Sequence, residues 1–70
     1  MFDFRLKVFT AVAKRLSFTK ASEEMNISQP AVSKHIRMLE NELKSKLFDR
    51  KGNTIELTVY GNALNLKAKN

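Results

Sequence analysis

A mostly α fold, with a three-helix core, a β-hairpin and the start of a C-terminal helix, is predicted by three observations. Apolar residues recur at helical spacing through successive segments of the chain. The tripeptide Asn26-Ile27-Ser28 breaks that pattern once. After Leu43 the apolar period falls from about 3.6 to 2 around the turn sequence Lys51-Gly52-Asn53.

Each element has its own local warrant. From Phe2 to Leu16, the residues Phe2, Leu6, Phe9, Ala13 and Leu16 fall in one stripe, which predicts a first helix. Phe4, Val8 and Ala11 form a second stripe that a single core face does not require. Ser17 is placed to cap a short second helix from about Phe18 to Met25, with Ala21 and Met25 turned inward. Asn26 tolerates a left-handed turn, and Ile27 is positioned to plug the core between helices. Ser28 is a fresh N-cap. Pro30 falls in the first turn of the next helix, where its missing N–H would have no intrahelical partner anyway. The third helix therefore starts near Gln29, with Val32, Ile36, Leu39 and Leu43 in one narrow apolar stripe. Leu47 to Arg50 and Ile55 to Leu57 flank the turn as a hairpin. Thr58 caps a last helix beginning at Val59, whose Val59, Tyr60, Ala63, Leu64 and Leu66 cover an arc of roughly 160°. An arc that wide calls for more than one neighbour.

Composition narrows the function. Seventy residues support one small core. The longest uninterrupted apolar run, Ala11 to Ala13, is far short of a membrane span, and Asp3 and Arg5 spoil a signal peptide, so the chain reads as cytoplasmic with no membrane partner. With no cysteine and one histidine, thiolate metal sites and two-histidine motifs are excluded, and two glycines cannot build a phosphate loop. No catalytic set, metal or cofactor is therefore expected. Glu23, Glu24, Glu40 and Glu42 lack a nucleophile or ligand set beside them and read as solvated helix charges and local ion pairs. His35, on the shoulder of the third helix, reads as a packing residue or an exposed contact. Thirteen Lys and Arg against seven Asp and Glu leave a net charge of +6, which favours a polyanionic partner over catalysis.

Two short helices joined by a three-residue break and followed by a hairpin make a winged helix-turn-helix, which places its second helix in the major groove of DNA. On the helical wheel Pro30, Ser33, Lys34, Arg37 and Asn41 oppose the apolar stripe. Gln29 and Ser33 are short enough to hydrogen-bond base edges, while Lys34 and Arg37 reach guanine or phosphate. Ser17, Thr19 and Lys20 start the second helix, where N–H groups favour a phosphate; Ser17 caps, contacts phosphate, or does both. Ser28 sits at the equivalent start of the third helix. On the wing, Arg50, Lys51 and Asn53 are placed to grip phosphates or the adjacent minor groove, or to form a solvated hairpin tip.

The stretch from Ser17 to Arg50, and above all ISQPAVS at Ile27 to Ser33 with Leu39-Glu40 and Leu47-Phe48-Asp49-Arg50, strongly resembles the DNA-binding domain of LysR-type transcriptional regulators. The similarity extends from Phe2 to Gly61. It implies base readout at Gln29, Pro30, Ser33 and Lys34. It also implies a bacterial, nucleoid-associated regulator of double-stranded DNA whose linker helices pair antiparallel over an interrupted T and A dyad. Where the family usually has glycine after the third helix this chain has Lys44, and the family's Thr-Pro-Ala-Gly entry to the linker helix appears as Thr58-Val59-Tyr60-Gly61. Residues 1–58 are then the winged helix-turn-helix domain and 59–70 a linker and dimerisation helix, with Val59, Tyr60, Ala63 and Leu64 at a homodimer contact on a palindromic operator. Such regulators carry a ligand-binding domain after the linker helix, so the chain reads either as an excised fragment or as a regulator without a sensor. Two alternatives remain open. One is another winged-helix DNA binder, such as a molybdate-responsive domain or a small autonomous repressor; the other is a protein-interaction or dimerisation module whose basic face is incidental.

Overall fold

Burial decides the architecture, and it centres on five side chains that are almost wholly enclosed: Val8, Phe9, Val12, Val32 and Leu47. Each stabilises the fold by about 1.5–3 kcal/mol relative to an exposed position. The computed structural model describes residues 4–68. In order, the elements are α1 (Phe4–Arg15), α2 (Phe18–Met25), α3 (Gln29–Leu43), β1 (Phe48–Lys51), β2 (Thr54–Leu57) and α4 (Val59–Ala68). This is the winged helix-turn-helix expected from the periodicity, with helix boundaries where the caps placed them. No helix among the described residues is long and apolar enough to cross a membrane.

Local chemistry ends each element. The Ser17 hydroxyl accepts the Lys20 N–H at 3.1 Å and the Ser28 hydroxyl accepts the Ala31 N–H at 3.2 Å, so both caps satisfy an N–H that the helix itself leaves orphaned. Asn26 takes the left-handed conformation at φ 61°, and Ile27 N–H donates to the Ser22 carbonyl at 3.0 Å in a Schellman-type closure. Lys44 repeats that geometry at φ 55°, with Ser45 N–H donating to the Glu40 carbonyl at 3.1 Å. A lysine there costs about 1 kcal/mol or more relative to glycine. The strands pair antiparallel from Phe48 opposite Leu57 to Lys51 opposite Thr54. Gly52, at φ +62°, and Asn53 close the loop, a positive φ at the first central position fitting a type II′ turn.

The faces of α1 depart from the sequence expectation. Val8, Ala11 and Val12 are buried with Phe9 and Ala13, although Val8 and Ala11 had been assigned to the surplus stripe and Val12 to neither. The reason is that α1 touches α2, α3 and α4 together, and three neighbours cover a wider arc than one stripe. Leu6 is partly buried against the core. Leu16, expected inside, is 46% exposed because the helix ends at Arg15 and Leu16 turns left-handed at φ 51°. Phe2 lies outside the described residues. Leu43 is likewise 46% exposed, since α3 runs on past the core at that end. Val32, Ile36 and Leu39 are buried as expected.

A ring cluster ties the wing to the helices. Phe48 stands 5.4 Å from Phe9 and 6.1 Å from Phe18, contacts worth about 0.5–1.5 kcal/mol each beyond their buried area. The link to α4 is made at the backbone of Lys46 and Leu47. The Glu40 carboxylate accepts the Leu47 N–H at 2.9 Å, Thr58 N–H donates to the Leu47 carbonyl at 3.1 Å, and the Thr58 hydroxyl donates to the Lys46 carbonyl. Thr58 also caps α4, accepting the Gly61 N–H at 3.0 Å. Glu40 is thus a half-buried brace between α3 and the wing rather than the solvated charge that its sequence context suggested. An acceptor that meets an otherwise orphaned N–H is worth more than an exposed ion pair.

Candidate nucleic-acid interface

The start of α3 is built to be exposed. Because Ser28 caps it and Pro30 needs no N–H acceptor, Gln29 and Pro30 lie in solvent without an unsatisfied backbone donor. Lys34 and Arg37 are exposed on the turns that follow, and Ser33, immediately before Lys34, is half-buried. The apolar side of the same helix is fully spent on Val32, Ile36 and Leu39. A rigid helix therefore presents polar and basic groups outward.

The other expected contacts are placed around it. Ser17 is half-buried and engaged as a cap, while Thr19 and Lys20 are exposed at the start of α2. On the wing, the Arg50 guanidinium lies 4.9 Å above the centre of the Phe18 ring, a cation–π contact that holds its planar fork against α2. Lys51 is 3.8 Å from Glu56 across the hairpin, a pair of exposed groups that holds neither firmly. Asn53 sits in the exposed turn.

Cations divide into two groups. Arg5 pairs with Glu42 at 2.6 Å, and Glu24 is flanked by Arg15 at 2.9 Å and Lys14 at 3.8 Å. The hydrogen bond from Arg15 holds the Glu24 carboxyl below its ordinary value, with the Lys14 and Arg15 charges adding to it against a smaller opposing effect of desolvation. Among the described residues no ion pair engages Lys20, Lys34, Arg37, Lys46 or Arg50. Ion pairs among the described residues thus sit on α1, the rear of α2 and α3 and the hairpin, while unpaired cations gather at the start of α2, on the α3 face and at Lys46 and Arg50, with Lys7, Lys44 and Lys67 unpaired elsewhere. His35 packs its ring edge-on to Phe4 with centroids 5.2 Å apart.

On α4, Val59 is 82% exposed, Tyr60 63% and Leu66 61%, and Ala63 is also exposed. Leu64 differs from the expectation in that part of its surface is already packed on the chain's own core. Gly61 is buried against Leu47. Sequence reasoning passed over Lys46 and the packing of Gly61, and it read Glu40 as a solvated charge or local ion pair. Lys46 lies between α3 and β1, where no periodicity assigns a face; the partners of Glu40 and Gly61 are distant in sequence.

Comparison with known proteins agrees with this geometry. Residues 4–62 match the family model described as "Bacterial regulatory helix-turn-helix protein, lysR family". Over 57 residues the chain is 49% identical to a RuBisCO operon transcriptional regulator of Allochromatium vinosum, covering 81% of this chain and 19% of that relative. The chain therefore spans about a fifth of that relative's length. Its fold is similar to the crystal structure of a LysR-family transcriptional regulator from Eggerthella lenta DSM 2243, at a TM-score of 0.93 and 38% identity with both chains wholly covered. It is also similar to the BenM_DBD/catB site 1 DNA complex, at a TM-score of 0.92 and 35% identity, covering 99% of this chain and 78% of that one.

Proposed function

The chain belongs to the lysR family of bacterial regulatory helix-turn-helix proteins, and on that premise we propose that it is a sequence-specific binder of double-stranded DNA serving transcription regulation, without catalysis of its own. The observation that carries this reading is the capped, solvent-facing start of α3 with Gln29, Pro30, Ser33, Lys34 and Arg37 on one side and unpaired cations around it. In the major groove, Gln29 and Ser33 meet base edges, Pro30 packs against them, and Lys34 reaches a base or a phosphate. Ser17, Thr19, Lys20 and Ser28 at the helix starts, with Arg37, Arg50, Lys51 and Asn53, hold the sugar-phosphate backbone. Support comes from the similar BenM domain, which is a complex with DNA.

Within the described residues, 4–58 form the reading unit and α4, Val59–Ala68, the helix that joins two copies, residues 1–3 and 69–70 of that division lying outside them. The exposed Val59, Tyr60, Ala63 and Leu66 give α4 an apolar face that its own chain leaves largely open. An isologous contact there sets two reader helices one or more DNA turns apart on a palindrome, about 34 Å per turn. A bacterial cytoplasmic location accords with this partner.

Fluorescence anisotropy on a palindromic duplex selected for tight binding, against a random duplex, tests the assignment. Gln29→Ala or Ser33→Ala is expected to cost about 1–3 kcal/mol on the selected duplex and little on the random one. Equal losses on both would show that these residues merely position the protein. Absence of competition by sequence would return the chain to a protein-interaction module.

A further inference from the structure

Between α3 and the first strand of the wing lies a cavity of about 140 Å³, walled by Ser33, Arg37, Lys46 and Arg50 over the rings of Phe18 and Phe48. A space of that size admits several waters, and so a tetrahedral oxyanion. Three cations face a single carboxylate there, that of Glu40, and one Glu40 oxygen is already taken by the Leu47 N–H at 2.9 Å. Elsewhere Glu24, Glu42 and Glu56 lie beside cations, yet among the described residues none pairs with Arg37, Lys46 or Arg50. Like charges gathered at the edge of an apolar floor repel one another, so an anion is the occupant that this arrangement stabilises.

Two further features identify the anion. The Arg50 guanidinium is held over Phe18, 4.9 Å from the ring centre, and its fork of donors suits two oxygens of a phosphate. Ser33 and Arg37 also belong to the outward face of α3, so whatever enters the cavity is continuous with what that face meets. We propose that this cavity receives one backbone phosphate of the DNA strand bordering the major groove, with Lys46 as the third cation alongside Arg37 and Arg50. The proposal rests on the DNA-binding reading above and adds Lys46, outside both the helices and the strands, to the contact set.

The test is a salt titration of the chain on a palindromic and a random duplex, with Lys46→Ala and, as a charge-matched control on α4, Lys67→Ala. Lys46 is exposed and only its backbone carbonyl serves the fold, so circular dichroism of the variant should match the parent. Loss of one phosphate contact flattens the log-log salt slope by about 0.9, so the penalty of Lys46→Ala shrinks about 3.5-fold from 50 to 200 mM salt, equally on both duplexes. Lys67→Ala keeps the parent slope. A scan replacing single phosphates with neutral methylphosphonates should find one position in each half-site whose penalty in Lys46→Ala is clearly smaller than in the parent, the remainder being the share of Arg37 and Arg50. If the parent binds and Lys46→Ala keeps its slope and every methylphosphonate penalty, the phosphate pocket is overturned while the DNA reading stands. If the parent binds neither duplex, both are overturned.

Discussion

Gly61 gives the sharpest test of how α4 is seated. An ideal Cβ built at this position would overlap the Leu47 carbonyl oxygen and lie 3.0 Å from both the Leu47 carbonyl carbon and a methyl of Leu57. The leucine methyl is able to move aside, but the obstructing carbonyl is backbone, fixed by the Thr58 N–H at 3.1 Å. Non-bonded heavy atoms settle at about 3.5 Å, and the overlap with the carbonyl oxygen is the tightest of the three contacts, so Gly61→Ala forces α4 back by roughly 1 Å or more. That retreat stretches the Thr58–Leu47 bond, the Thr58 hydroxyl bond to Lys46 and the cap at Gly61 N–H, each worth about 1 kcal/mol. Against a loss of about 2–3 kcal/mol, alanine returns about 1 kcal/mol of helix propensity. The net expectation is a destabilisation of about 1–2 kcal/mol, or roughly 4–16 °C in Tm for a domain of this size. Urea and thermal unfolding followed by far-ultraviolet circular dichroism measure it directly. Asn62→Ala, one residue along on the exposed side, is the control and should be neutral or stabilising. A Gly61→Ala protein as stable as the parent, or stabilised by the propensity alone, would refute the seating argument.

Three other outcomes follow from particular geometries. Lys44→Gly removes a side chain from a left-handed cap and should stabilise the domain by about 0.5–1 kcal/mol after the extra freedom of the unfolded chain is counted, read as a rise of roughly 2–8 °C in Tm. Glu24 has a folded-state carboxyl held below its ordinary 4.5, so its contribution to stability is complete above that value and is lost as pH falls through the lowered one; the stability gap between parent and Glu24→Gln, followed by urea unfolding, should close on acidification and with added salt, and a gap independent of pH would contradict the pairing. Val59→Glu and Leu66→Glu alter side chains that are 82% and 61% exposed, so the fold should keep its Tm while sedimentation at saturating protein shows one chain per palindromic duplex in place of two.

What was legible in the sequence is what is decided within about one turn of chain. Ser17, Ser28 and Thr58 cap helices because their hydroxyls reach an N–H three residues on, and Asn26 and Gly52 turn the chain by their own tolerance of positive φ. Helix boundaries, the hairpin and the polar face at the start of α3 follow from such short-range rules. Which side of α1 lies inside could not be read this way. Three neighbouring helices share that choice, and they bury Val8, Ala11 and Val12 while the helix end releases Leu16. The same holds for Glu40 bracing Leu47, for Gly61 seated on the Leu47 carbonyl, for Arg50 lying on Phe18 and for Lys46 joining Arg37 beside the wing. Each joins residues separated by 7 to 32 positions, where no periodicity or cap relates one to the other, so only the packing of the whole chain brings them into contact.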